Sequence, residues 1–223
     1  MSITPRYISD PDFTFDVLRG LAQYTGSRFI RDLAEAVVRH PYHNISQALG
    51  HRQVACKTWL RDELAGSFGG RFGTIWVVGG WYGVLPAMLF DDARFEIDRI
   101  VSFDLDPDCA AVANAINRGP LEEGRFEART GDMYDLAYNG PSAPDLVINT
   151  SCEHIPDVRQ WLARLPDGMP VVLQSNDYFD EPEHINCVRT LDEFIDQAGL
   201  SKVAFSGALE TKKYARFMLI GNR

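Results

Sequence analysis

Gly79-Gly80-Trp81-Tyr82-Gly83 follows directly on the apolar run Thr74-Ile75-Trp76-Val77-Val78. Glycine at such a place lets the backbone turn tightly and come close to a ligand. The helix that starts beyond it presents free N–H groups. Asp104 stands 25 positions after Gly79, at the end of a second run, Arg99-Ile100-Val101-Ser102-Phe103. A carboxylate there can accept both hydroxyl hydrogens of a ribose. A third group, Gly131-Asp132-Met133-Tyr134, follows a third short run, Arg125 to Arg129. Each group has a plainer reading: a packing turn, a helix cap, a loop carboxylate. Their ordered succession points to a nucleoside-bearing ligand.

Two polar segments extend the set. Asn149-Thr150-Ser151-Cys152-Glu153-His154 follows a fourth run, and Gln174-Ser175-Asn176-Asp177-Tyr178-Phe179 ends a fifth, with Glu183-His184 beyond it. Asn149, with Ser175 or Asn176, suits orientation of the ligand or of a second reactant. Glu153 or His154 is the candidate general base, histidine being the commonest near neutral pH. The plainer role for each is a cap or a loop hydrogen bond. Cys152-x-His154 and His184-x-x-Cys187 offer four metal ligands, but without the tight paired spacing of structural zinc. No metal is expected.

These residues need a frame that brings run ends together. Residues 13 to 69 read as helical: Phe29, Ile30, Leu33, Ala36 and Val37 follow an i, i+3, i+4, i+7 rule, Pro41 breaks it, and Val54 to Phe68 resumes it. Short apolar runs then alternate with helical stretches at Val84–Phe90, Pro107–Ile116 and Val158–Leu165. Asp106 suits the cap of the second of these. Pro170 to Gln174 is the fifth strand, and Thr190 with Glu193 forms a capping box for a helix through Ala198. Val203–Leu209 and Arg216–Ile220 are joined too closely for a crossover and predict an antiparallel hairpin. The expected fold is α/β: a Rossmann-like, doubly wound, mostly parallel seven-stranded sheet with an antiparallel C-terminal hairpin and an N-terminal helical cap. Residues 1–70 form the cap within the same domain, and residues 71–223 the binding core. Ligands of such sheets sit beyond the strands' carboxyl ends.

The chain's 223 residues suit one domain, and 45% hydrophobic residues suffice for a core. A net charge of −9 with scattered Arg and Lys argues against a nucleic acid or an anionic membrane as partner. Cys56, Cys109, Cys152 and Cys187 lie far apart, and no apolar run is long enough to span a bilayer. The chain reads as cytoplasmic, with free thiols. A homodimer is compatible with the sequence.

The segments VVGGWYG, VSFDLDP, TGDMYDL, DLVINTSCEHI and ALETKKYARFMLIG resemble the class I S-adenosylmethionine (SAM)-dependent methyltransferase superfamily across residues 74 to 223. The closing hairpin is similar to that superfamily's reversed last strand, which dinucleotide-binding domains normally lack. A nicotinamide fingerprint starting at Gly79 would need glycines where Trp81 and Val84 stand. The resemblance implies SAM as cofactor, held by Gly79, Gly80, Trp81, Tyr82, Gly83, Asp104, Leu105, Asp132, Met133 and Asn149. Asp132 and Met133 would take the adenine. Catalysis would fall to Asn149, Glu153, His154, Ser175, Asn176 and Tyr178. Trp81, Tyr82, Tyr134 and Tyr178 offer aromatic faces to the sulfonium. The glycine loop departs from the family pattern: Val77 occupies its usual acidic place, and Trp81 that of its middle glycine.

The resemblance implies methyl transfer to a small molecule, with Tyr24, Arg28, His40 and Tyr42 as polar candidates from the cap. The GGWYG loop and the polar segments are also similar to SAM-cyclising enzymes that make azetidine-2-carboxylate. There the α-amine attacks the substrate's own γ-carbon and methylthioadenosine leaves. A non-catalytic SAM-binding protein is the third alternative.

Overall fold

A computed structural model describes residues 11–223, with side chains from residue 13 onward. The seven expected strands form one sheet: β1 (Arg71–Val78), β2 (Glu96–Asp104), β3 (Phe126–Thr130), β4 (Leu146–Asn149), β5 (Pro170–Asn176), β6 (Lys202–Glu210) and β7 (Ala215–Asn222). Their order is β3-β2-β1-β4-β5-β7-β6. The first five run parallel, and β7 is antiparallel to both β5 and β6. The direction of winding reverses between β1 and β4. That switch point opens a crevice at the strands' carboxyl ends.

Period-two alternation explains why the central strands are apolar throughout: each feeds two cores. Trp76, Val78, Val147, Val171, Leu173 and Leu219 point into one cluster around the buried Trp161. Ile75, Val77, Leu146, Ile148, Val172, Met218 and Ile220 point into the other.

Helices α1 (Pro11–Thr25), α2 (Arg28–Arg39), α3 (Ile45–Ala48) and α4 (His51–Phe68) precede the sheet. The break at Pro41 falls between α2 and α3. The region expected as an N-terminal cap is not uniform, and α4 does more than cap. Its Leu60 and Leu64 pack into the second core against Ile75 and Met218, so α4 is a layer on the sheet's face. Leu33 and Ala36 of α2 pack on Val112 and Ile116.

Between strands lie α5 (Val84–Phe90), α6 (Pro107–Ile116), α7 (Arg118–Glu122), α8 (Val158–Leu162) and α9 (Leu191–Ala198). Asp106 caps α6 by accepting the Asp108 N–H at 2.9 Å. Thr190 caps α9 by accepting the Glu193 N–H at 3.1 Å. The reciprocal bond of the box is displaced by one residue, with Glu193 Oε2 taking the Arg189 N–H. All four cysteines are free. Among the described residues, no helix is long and apolar enough to cross a membrane.

Candidate functional site

The switch point is built from the loop after β1. Gly79 has φ +65° and Gly83 φ +69°, in the left-handed region that favours glycine. At Gly80 a Cβ would fall 2.0 Å from Ser102 Oγ of β2. The loop therefore lies closer to the sheet than any side chain allows. Trp81 also has positive φ, +48°, as the one non-glycine residue of this kind among the described residues. Holding tryptophan there costs on the order of 1 kcal/mol, and such strain clusters at functional turns.

Asp104 holds that conformation. Its Oδ2 accepts the Trp81 N–H at 2.7 Å, and its Oδ1 the Asp106 N–H at 3.1 Å. An ionised carboxylate has further acceptor sites, so both oxygens can still receive hydroxyl donors. Asp104 thus ties the end of β2 to the glycine loop and stands at the crevice. Leu105 beside it is 71% exposed, an apolar side chain left in water. The rings of Trp81 and Tyr82 stack at 5.0 Å and pack against Ala48, Val84 and Met88. Residues of α3 and α5 thereby fix the loop. Asn117 secures its far end, donating to Gly83 O at 2.9 Å. Val77, at the acidic place of the family pattern, is buried in the core.

Beyond β3, Asp132 Oδ1 accepts the Tyr134 N–H at 2.9 Å, which shapes the turn. The carbonyl of Met133 takes the Tyr138 hydroxyl at 2.8 Å, and Met133 Sδ lies 3.8 Å from Asn149 Nδ2. Asn149 pairs in register with Val78, so it ends the strand next to the glycine loop. Its Oδ1 accepts the Ser151 N–H at 2.8 Å. The residues after β1, β2, β3 and β4 that the sequence singled out thus line one end of the sheet. The Tyr134 hydroxyl instead donates to Asp157 O.

Several residues of the two polar segments are committed inward. Glu153 is 3% exposed, and its Oε1 receives Arg216 at 2.6 Å and Asn176 Nδ2 at 2.6 Å. Arg216 also donates to Thr150 O at 3.0 Å. Burial opposes the Arg216 charge, but Glu153 beside it more than compensates and holds the guanidinium pKa above its ordinary value. Oε1 of Glu153 is thereby engaged within the protein, between Arg216 and Asn176. Asn176 Oδ1 accepts the Tyr178 N–H and the Cys187 thiol, so Asn176 positions its neighbours. Ser175 is fully buried with its hydroxyl unpartnered. Tyr178 already carries a cation: Lys213 Nζ sits 4.0 Å from its ring centroid. His154 is exposed and remains available.

Of the cap candidates, Tyr24 and Tyr42 are 89% and 98% exposed, and Arg28 is paired with Glu123 at 2.7 Å. His43, next but two to His40, is the cap histidine that meets the glycine loop, edge-on to Tyr82 at 6.0 Å. Reading the sequence alone also missed Arg216 and Lys57. The available signal was a lone arginine opening the apolar strand Ala215–Ile220, which demands a buried partner.

Of the four possible metal ligands read from the sequence, His154 and His184 come together, and neither Cys152 nor Cys187 joins them in a metal-ligating group among the described residues. The Cys152 thiol lies 3.9 Å from Asn149 O, and burial pushes its pKa up. Two concavities lie away from these residues, one near Gly168 and Arg223, the other beside Ser27 and Asp91.

Comparison with solved structures decides the fold. A geranyl diphosphate methyltransferase in complex with SAM superposes with TM-score 0.55 at 15% identity, covering 78% of this chain and 86% of that one. The N-methyltransferase NodS from Bradyrhizobium japonicum gives 0.57 at 11%, covering 77% and 96%. The chain has the class I SAM-dependent methyltransferase fold. The [4+2]-cyclase SpnF shares this fold with TM-score 0.59 at 12% identity, over 77% and 82%. No family model and no curated protein matches the sequence.

Proposed function

We propose that this chain is a SAM-dependent enzyme that acts on a small molecule by methyl transfer. The observation that carries the reading is Asp104: it locks a strained glycine loop at the topological switch point and keeps acceptor sites free for ribose hydroxyls. Asp132 and Met133 lie where adenine would follow, and Asn149 where the methionine part would begin. The neighbour crystallised with SAM supports the choice of ligand. The sulfonium is already a good leaving group, so positioning and electrostatics can supply most of the rate. Helices α1–α3 would close over the crevice, and the absence of another long insertion favours a small acceptor.

A second reading is favoured by one observation. Glu153 Oε1 and both amide atoms of Asn176 are engaged within the protein and the Tyr178 ring faces Lys213, which leaves fewer groups to grip an acceptor. In that reading SAM is the only substrate. Its α-amine forms a bond to its own γ-carbon, the carbon–sulfur bond breaks onto sulfur, and the amine releases a proton. The products are azetidine-2-carboxylate and methylthioadenosine.

Incubation with SAM, analysed for the nucleoside released, separates these. Methyl transfer predicts S-adenosylhomocysteine, and only when a methyl acceptor is added. Methylthioadenosine from SAM alone would overturn methyl transfer in favour of cyclisation. Tight binding without turnover under any condition would leave a SAM-binding protein and refute both enzymatic readings.

A further inference from the structure

Glu153, His154 and His184 bring three metal-ligating atoms within 4.8 Å of one another. They come from two distant places in the chain, the 3-10 turn after β4 and the loop after β5. The side chains are already arranged as ligands. His154 Nδ1 lies 3.1 Å from Glu183 O, and His184 Nδ1 lies 2.7 Å from Tyr178 O. A carbonyl only accepts, so each Nδ1 is the donor in its contact, and in the neutral ring this tautomer leaves the lone pair on Nε2. Metal-bound histidines show this arrangement, with the second ring nitrogen anchored on a carbonyl or carboxylate. The rings meet edge to face, centroids 4.7 Å apart. On Glu153, Oε1 is taken by Arg216 and Asn176, whereas Oε2 is buried with no partner. A buried carboxylate oxygen without a donor needs one, and a cation supplies it.

We propose that Glu153, His154 and His184 form a binding site for one divalent transition-metal ion. Two imidazole nitrogens and one carboxylate oxygen suit zinc or its first-row neighbours, and not magnesium or calcium, which take oxygen alone. Ligands about 2.0–2.1 Å from one tetrahedral ion lie roughly 3.3 Å apart, so modest rotation of the exposed His154 and half-buried His184 completes the set. The surrounding loop favours a cation: Asp177, Asp180, Glu181 and Glu183 fall within eight residues. Three protein ligands leave a coordination position open to water or to an oxygen-bearing reactant, the mark of a reactive site. The proposal is independent of SAM binding.

The test uses the full chain, freed of metal by a chelator and titrated with zinc by calorimetry. One equivalent should bind, and His154→Ala and His184→Ala should each weaken binding by about 100-fold or more. Replacing zinc with cobalt should give the visible absorption of a low-coordinate ion, lost in both variants. His154 is exposed, so its variant keeps the fold, which circular dichroism verifies. His40→Ala should bind zinc as the parent does. Absence of stoichiometric zinc, or affinity equal to the parent's in the His154 and His184 variants, would overturn the site. SAM titrated into the same samples reports on the crevice separately, so the two readings fail independently.

Discussion

Asp104 and Asp106 stand two residues apart and take different partners. Asp106 accepts an N–H in the first turn of α6, and Asp104 accepts the N–H of the strained Trp81. Their alanine variants should therefore differ in kind. Asp106→Ala should lower unfolding free energy by about 1 kcal/mol, the usual loss of a cap, and leave SAM affinity unchanged. Asp104→Ala should weaken SAM binding by about 1–3 kcal/mol. Calorimetry with a urea melt of each protein checks both. Equal SAM affinity in the two variants would assign Asp104 to the loop alone. The glycine loop was legible because Gly79, Gly80 and Gly83 each meet a geometric need visible in composition. The conformation of Trp81 was not, since positive φ at tryptophan contradicts its local preference and is imposed by Asp104 from another strand.

At the scale of elements, the central strands β1, β2, β4, β5 and β7 were readable because each carries a short buried apolar run. Their starts were less so: β1 begins at Arg71 and β2 at Glu96, where a single buried apolar residue, Phe72 or Ile97, stands between neighbours that carry no apolar signal. Helix α7 was missed because Gly119 and Pro120 read as breakers. The ion pair joining β7 to the turn after β4 was hidden for another reason. Arg216 and Glu153 are 63 residues apart and meet only when β7 inserts beside β5. Arg216→Met should cost about 3–5 kcal/mol, because it leaves Glu153 buried and unpaired. Adding Glu153→Leu should recover most of that loss in denaturant melts. A double variant as unstable as the single would show that the arginine acts through packing and not through charge.

Across the whole molecule, stability should depend on pH through Lys57. Burial on α4, and then Arg216 nearby, push its pKa down to about 8 from the ordinary 10.5. The unfolded chain therefore holds a proton between these values that the folded chain has released. Unfolding free energy gained from this group rises through that window, on the order of 3 kcal/mol in all. Burial raises the Cys109 and Cys187 thiols to about 12 and about 11, and these act in the opposite sense at alkaline pH. The contribution of Lys57 is isolated by comparison with Lys57→Met. That variant's advantage should be greatest below pH 8 and should fade towards pH 10.5; a constant difference would refute the assignment. The central claim concerns the crevice where β1 and β4 part. Crystals grown with S-adenosylhomocysteine test it most directly. The account predicts density with the ribose hydroxyls on Asp104, adenine beside Met133 and the backbone of residues 79–83 against the ligand. An empty crevice, or the nucleoside bound at any other face of the sheet, would contradict it.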